Sequence, residues 1–98
     1  DMPMTLPNPC NPAKDRPLTI RYTLSKDADI TLYVYDMAGQ MVAKKTIQAG
    51  GAGGSTGFNE VPWDGRSDFG NALGNGVYST VITARGKILG RGQMSIYQ

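Results

Sequence analysis

Ninety-eight residues make one domain with one modest core, since single domains typically run about 100–150 residues. Ten basic side chains against eight acidic ones leave a net charge of +2, scattered apart from the pair Lys44-Lys45. That excludes a dedicated nucleic-acid binder, which gathers several cations on one face. With no histidine and a lone Cys10, the Ser-His-Asp triad, the Cys-His dyad and most transition-metal sites are excluded as well.

The chain opens on Asp1 rather than Met and shows no signal-peptide pattern, as expected of a processed or excised product. Residues 1–17 are punctuated by Pro3, Pro7, Pro9, Pro12 and Pro17 and are expected to form an extended arm. This arm wraps the domain or leads in from something upstream. Its Met2, Met4, Leu6 and Cys10 are the candidate interaction residues. Cys10 cannot form an internal disulfide, and a free Cys reads first as a small buried hydrophobe.

From Leu18 the pattern has period two. Leu18, Ile20, Tyr22 and Leu24 alternate with polar residues, and so do Ile30, Leu32 and Val34. Asp36 to Gly39 reads as a turn, with Asp at its start and Gly at its end. Met41 to Ile47 continues as a third strand. Phe58 to Trp63 is a fourth, in which Pro62 implies an edge position or a bulge. Val77 to Ala84 is a fifth, Arg85-Gly86 a tight hairpin turn, and Lys87 to Tyr97 the return. No crossover-helix pattern lies between these strands. They predict an all-β chain: an antiparallel sandwich of about six or seven strands over residues 18–98. No stretch is long and apolar enough for a membrane-spanning helix.

Four constellations invite a chemical reading. The run Gly50-Gly51-Ala52-Gly53-Gly54-Ser55-Thr56-Gly57 lacks the Gly-Lys-Ser/Thr of a phosphate loop and breaks the dinucleotide spacing. It reads as a flexible hairpin loop. The segment Asp64 to Asn71 has calcium-loop residue types, but Arg66 stands at a ligand position and no closing Glu follows. It reads as Asx turns. Glu60, Asp64 and Asp68 cluster in sequence, yet a small sandwich with short loops offers no deep cleft to shift their pKa values. No enzyme activity is expected. Tyr33, Tyr35, Trp63, Tyr78 and Tyr97 invite a sugar-stacking platform, against which stands ordinary core and sheet-face use, with Trp63 between the sheets.

Several segments carry a family resemblance. Leu6-Pro7-Asn8-Pro9-Cys10-Asn11-Pro12 resembles the P-N-P-F-N-P opening of bacterial C-terminal modules. Ile20 to Leu24 follows at the family's distance. Val34-Tyr35-Asp36-Met37-Ala38-Gly39-Gln40-Met41-Val42 is similar to V-Y-D-x-x-G-R-x-V. Gly57 to Arg66 is similar to G-x-H-x-V-x-W-D-G-R, and Gly76-Val77-Tyr78 to the close of S-G-V-Y. The family is the immunoglobulin-like domain of the flagellar hook-capping (FlgD) type, with the related sorting domains of the type IX secretion system. The resemblance runs from Leu6 to near the C-terminus.

It implies an immunoglobulin/fibronectin-III-like sandwich that is bacterial, extracellular or at the cell surface, and non-catalytic. Its signature residues are then structural: Asn8, Pro9, Asn11 and Pro12 in the arm, Tyr35, Asp36 and Gly39 at the first hairpin, Trp63, Asp64 and Gly65 after the fourth strand, and Gly76 and Tyr78 at the fifth. Cys10 stands where the family has Phe, and Gly50–Gly54 looks like an insertion. The ending Gln93 to Gln98 lacks the basic residue that closes a type IX signal, which favours the broader hook-capping type.

The function expected is a structural or assembly module that associates with proteins, copies of itself included, through sheet edges and the arm. The alternatives are a type IX sorting or anchoring domain, a flagellar hook-assembly scaffold and, with less support, a carbohydrate-binding module. Neither cofactor nor metal is expected, and the partners are proteins of the parent chain, the export machinery or the surface.

Overall fold

The computed structural model describes residues 4–5, 18–71 and 73–97. Met2, Leu6, Asn8, Pro9, Cys10, Asn11 and Pro12, and with them most of the expected arm, lie outside the described residues. Within the arm, Met4–Thr5 form a short strand, β1. The remaining strands are β2 (Leu18–Leu24), β3 (Ile30–Tyr35), β4 (Met41–Ile47), β5 (Gly57–Trp63), β6 (Gly76–Ala84) and β7 (Lys87–Ile96). They form a three-stranded sheet in the order β1-β2-β5 and a four-stranded sheet in the order β4-β3-β6-β7. Every pairing is antiparallel. This is the all-β sandwich that the alternation predicts, and each expected strand is present to within a residue.

Alternation places one face of each strand inward. Leu18, Ile20, Tyr22 and Leu24 from β2 meet Ile30, Leu32 and Val34 from β3, Ile82 from β6 and Met94 and Ile96 from β7, all buried. Burial of each large side chain stabilises by roughly 1.5–3 kcal/mol, so this inner layer dominates the fold's stability. Thr80 is also fully buried, and its hydroxyl has no hydrogen-bond partner among the described residues.

The strand ends follow from local chemistry. Arg85 and Gly86 both have positive φ, 52° and 77°, the requirement of a two-residue type I′ hairpin between β6 and β7. Pro62 lies in β5, an edge strand, where a missing N–H leaves no gap in a central ladder.

The glycine run departs from expectation. It is no hairpin loop: β4 pairs with β3 and β5 with β2, so residues 48–56 cross from one sheet to the other. Nor is it free. Gly53 and Gly54 are buried beneath the end of the sandwich. The buried Tyr22 hydroxyl donates to Gly53 O at 2.6 Å. Gly54 O accepts from both Ala28 N and Gly50 N, at 3.1 and 2.9 Å. A Cβ on Gly54 would lie 2.4 Å from Gln48 O, and one on Gly53 2.8 Å from Val61 Cγ2. Glycine is required here because neighbouring backbone and core atoms occupy the space of a side chain. The adjacent loop is laced on by Asp27, whose Oδ1 accepts from Thr56 N and Oγ1, and by Asp29, which accepts from Ala49 N.

Candidate functional site

The opposite end of the sandwich gathers the residues that the sequence singles out. Asp36 closes the β3–β4 turn: its Oδ1 accepts from Ala38 N and Gln40 N, both at 2.9 Å. Gly39 takes φ 83° in the same turn. Tyr35, one residue earlier, points to the outer face of the four-stranded sheet and is half-buried.

After β5, residues 64–71 fold on themselves through short polar side chains. Asp64 Oδ1 accepts from Arg66 N at 3.0 Å, an Asx turn as expected. The Arg66 guanidinium donates to Gly70 O, and Ser67 Oγ accepts from Phe69 N and Asn71 N. Gly65 is buried with φ 73°. The loop then reaches the edge strand β4: Asp68 N donates to Val42 O at 3.0 Å, and Lys44 N donates to Asp68 Oδ1 at 3.2 Å. An open strand edge invites association, and here part of it is covered by the chain itself.

Gly76 opens β6 with φ 155°, and Tyr78 follows on the inner face. The Tyr78 hydroxyl donates to Gly74 O at 2.9 Å. A tyrosine near a strand start that bonds backbone a few residues upstream is the tyrosine corner of immunoglobulin-like sandwiches. Burial, with the nearby Asp36 charge adding, holds its phenol above the ordinary pKa of 10.0.

Trp63 departs from expectation. It is half-buried, packed against both core clusters rather than enclosed between the sheets. β5 is an edge strand and Trp63 its last residue, so its ring closes one side of the sandwich only in part. It lines a cleft of about 210 Å³ with an apolar floor that includes Leu32 and Val61, and a charged rim of Lys44, Lys45, Arg66 and Asp68. Lys45 Nζ spans the mouth and donates to Pro62 O at 3.2 Å.

The structure does not bring the three candidate carboxylates together. Glu60 pairs with Arg21 Nε at 3.0 Å on the outer face of the three-stranded sheet. Asp64 and Asp68 each hold backbone N–H groups. Nor do the five rings form one platform. Tyr33 and Tyr35 stand on the outer face of the four-stranded sheet, Tyr78 is inside, Trp63 borders the cleft, and Tyr97 is exposed beyond β7.

What sequence reasoning missed is exposed apolar surface. Met37, Phe69 and Tyr97 are 82%, 89% and 71% exposed, and Met41 and Val77 join them. The topology places all five at one end. Met37 and Val77 line the same hollow. Val77 pairs with Ser95, two residues before Tyr97. Met41 pairs with Tyr35, and Phe69 follows the residue that bonds Val42. No single residue signals this; the paired strands bring the five together.

Residues 10–87 match the family described as the FlgD Ig-like domain. Comparison with curated proteins gives no match. Among solved structures, the chain is similar to PorZ, an essential bacterial surface component of the type-IX secretion system of Porphyromonas gingivalis, at 19% identity and TM-score 0.62. That likeness covers 99% of this chain and 11% of PorZ. It is similar to dimeric latent PorU from Porphyromonas gingivalis at 23% identity and TM-score 0.68, over 95% of this chain and 9% of PorU. It is similar to FlgD from P. aeruginosa at 19% identity and TM-score 0.64, over 94% of this chain and 72% of that one. At these identities the likeness is one of fold.

Proposed function

The chain belongs to the FlgD Ig-like domain family, and on that premise we propose that it is a non-catalytic module that binds proteins, copies of itself included, at the bacterial surface or outside the cell. One observation carries this reading: five of the seven exposed large apolar side chains among the described residues, all but Phe58 and Ile88, collect at one end of the sandwich, while the nearby carboxylates are occupied in bonding backbone. Collected apolar exposure of this kind marks an interaction surface. Contacts through an end and a side of the molecule are heterologous, and such contacts build open arrays when the rotation does not close.

Sedimentation of the 98-residue chain over a wide concentration range tests it. Concentration-dependent association is expected, weakened in a Met37→Ser/Phe69→Ser variant. A strict monomer at high concentration, together with no capture of a surface protein through this end, overturns it. Likeness in fold to a type-IX surface component supports a second reading, a sorting or anchoring domain. A reporter fused to this chain, expressed in a host with type IX secretion, decides that reading; retention in the periplasm rejects it.

A further inference from the structure

The net charge of +2 hides a strong asymmetry. The four strands of the larger sheet carry Lys44, Lys45, Lys87 and Arg91 and not one carboxylate. The rest of the chain holds six cations and all eight carboxylates. The smaller sheet balances its outer face, where Arg21 pairs with Glu60. The larger one does not.

Register shows how its outer face is arranged. Lys44 pairs with Tyr33, Tyr33 with Val81, and Val81 with Arg91, so one row crosses all four strands. Its two cations stand about 14 Å apart, three strand spacings of ~4.8 Å. In the next row Tyr35 pairs with Ser79 and Ser79 with Gln93. Between β6 and β7 a shallow hollow of about 370 Å³ is lined by Ser79, Val81, Arg91 and Gln93, with exposed donors on Arg91 and Gln93.

Two features of the composition, its Tyr and Arg and its lack of Asp and Glu, match those of protein interfaces. Tyr and Arg are enriched in protein interfaces and Asp and Glu depleted. Ring geometry favours a protein over a glycan. Tyr33 and Tyr35 stack on each other, with centroids 6.1 Å apart and planes within 22°, and Lys44 Nζ lies 5.9 Å from the Tyr33 centroid. The facing sides of the two rings are therefore engaged already, and Lys44 sits over Tyr33, whereas a sugar platform presents its ring faces free. What remains for a partner is ring edges, hydroxyls, Val81, the Lys44 ammonium beside Tyr33, and Arg91, which has no carboxylate partner among the described residues.

We infer that the outer face of the four-stranded sheet docks an acidic protein surface, with a carboxylate seated by Arg91 and Gln93 and apolar neighbours resting on Tyr33, Tyr35 and Val81. This deepens the protein-binding reading and rests on it. Charge complementarity of this kind sets encounter rate and orientation, and the stacked rings, held in place before contact, lose little freedom on binding.

The test is an NMR titration of the full chain with a glutamate–tyrosine copolymer, with polygalacturonate as the second arm. Amide shifts are expected to concentrate on Tyr33, Val81, Arg91 and Gln93. A Lys44→Gln/Arg91→Gln variant is expected to bind about tenfold more weakly or worse. A Tyr33→Ala/Tyr35→Ala variant, which keeps both cations, separates docking from general attraction and is expected to lose several-fold in affinity. Unchanged amide dispersion away from the face certifies folding in both variants. The inference is overturned by no binding, by shifts spread equally over Lys26 and Arg85, by an unaffected tyrosine variant, or by polygalacturonate binding the face at least as tightly. Met37 and Phe69 lie in loops, so failure here leaves the sedimentation result standing, and the converse also holds.

Discussion

The two ends of the sandwich are closed by opposite means. At one end, residues 48–56 seal the core with bare backbone: Gly53 and Gly54 fill the space, and a buried tyrosine hydroxyl and two N–H groups satisfy their carbonyls. At the other, Asp36, Asp64 and Ser67 bond loop backbone, Asp68 bonds the edge strand β4 at Lys44 N, and apolar side chains stand out into solvent. A backbone seal leaves no room for variation. A side-chain cap leaves the outward positions unconstrained, so Met37 and Phe69 are available for contact. On this contrast rests the proposal that the capped end, with five of the seven exposed large apolar side chains among the described residues, is the contact surface.

The largest effect should fall on the sealed end. Gly54→Ala places a methyl 2.4 Å from Gln48 O and 2.9 Å from Ala28 O, both backbone atoms that cannot swing aside. A loss of about 3 kcal/mol or more is expected, read as a shift of the denaturant midpoint. Gly39→Ala is the matched control at the capped end. Its φ of 83° is strained for alanine, but nothing lies within 4 Å of the added carbon. That variant should lose only ~1–2 kcal/mol. Equal losses at Gly54 and Gly39 would break the comparison.

Next comes Tyr22, which bonds the seal from below. Burial pushes its phenol up from 10.0 to about 12. The folded pKa lies above the unfolded one, so folding favours the protonated phenol. Its contribution is complete below pH 10 and is lost as pH rises through about 12. Two pKa units correspond to roughly 2–3 kcal/mol. The stability of the parent should therefore fall steeply across this alkaline window. Tyr22→Phe should remove that part of the fall and, having lost the bond to Gly53 O, start about 1–2 kcal/mol lower at neutral pH. If the parent and Tyr22→Phe lose stability in parallel between pH 10 and 12, the seal does not depend on this hydroxyl.

The same contrast decides what could be read from the sequence. Strands announce themselves by alternation, so Leu18–Leu24 and Ile30–Tyr35 were legible residue by residue. Turn chemistry is local as well, which is why Asp36, Gly39 and Asp64 could be assigned their work from neighbours alone. The glycine run was opaque because its requirement comes from Ile47, Gln48 and Val61, which flank it, and from Tyr22 and Ala28, which are distant in the chain, and these converge on it only when the chain crosses between the two sheets. Trp63 lies less deep than expected although Pro62 already signals an edge: alternation alone does not show how far an edge strand's last residue is covered by the facing sheet. The cationic face was hidden by a scattered distribution of charge, since Lys44 and Arg91 share a row only through three strand registers.

The smallest expected effect sharpens the capped end. Asp36 uses one oxygen, Oδ1, for both of its N–H bonds. Asp36→Ala leaves both donors to water and should cost about 1 kcal/mol. Asp36→Asn keeps an oxygen in the same place, so the turn should survive within ~0.5 kcal/mol. The charge is nevertheless gone, and with it the part of the Tyr78 shift that Asp36 supplies. Phenolate absorbance should then show Tyr78 titrating at lower pH in Asp36→Asn than in the parent, while burial still keeps it above its ordinary value. An unmoved Tyr78 titration would mean that the β3–β4 turn and the tyrosine corner are neighbours without electrostatic coupling. The capped end would then be two independent local devices, and the freedom of Met37 would follow from its turn alone.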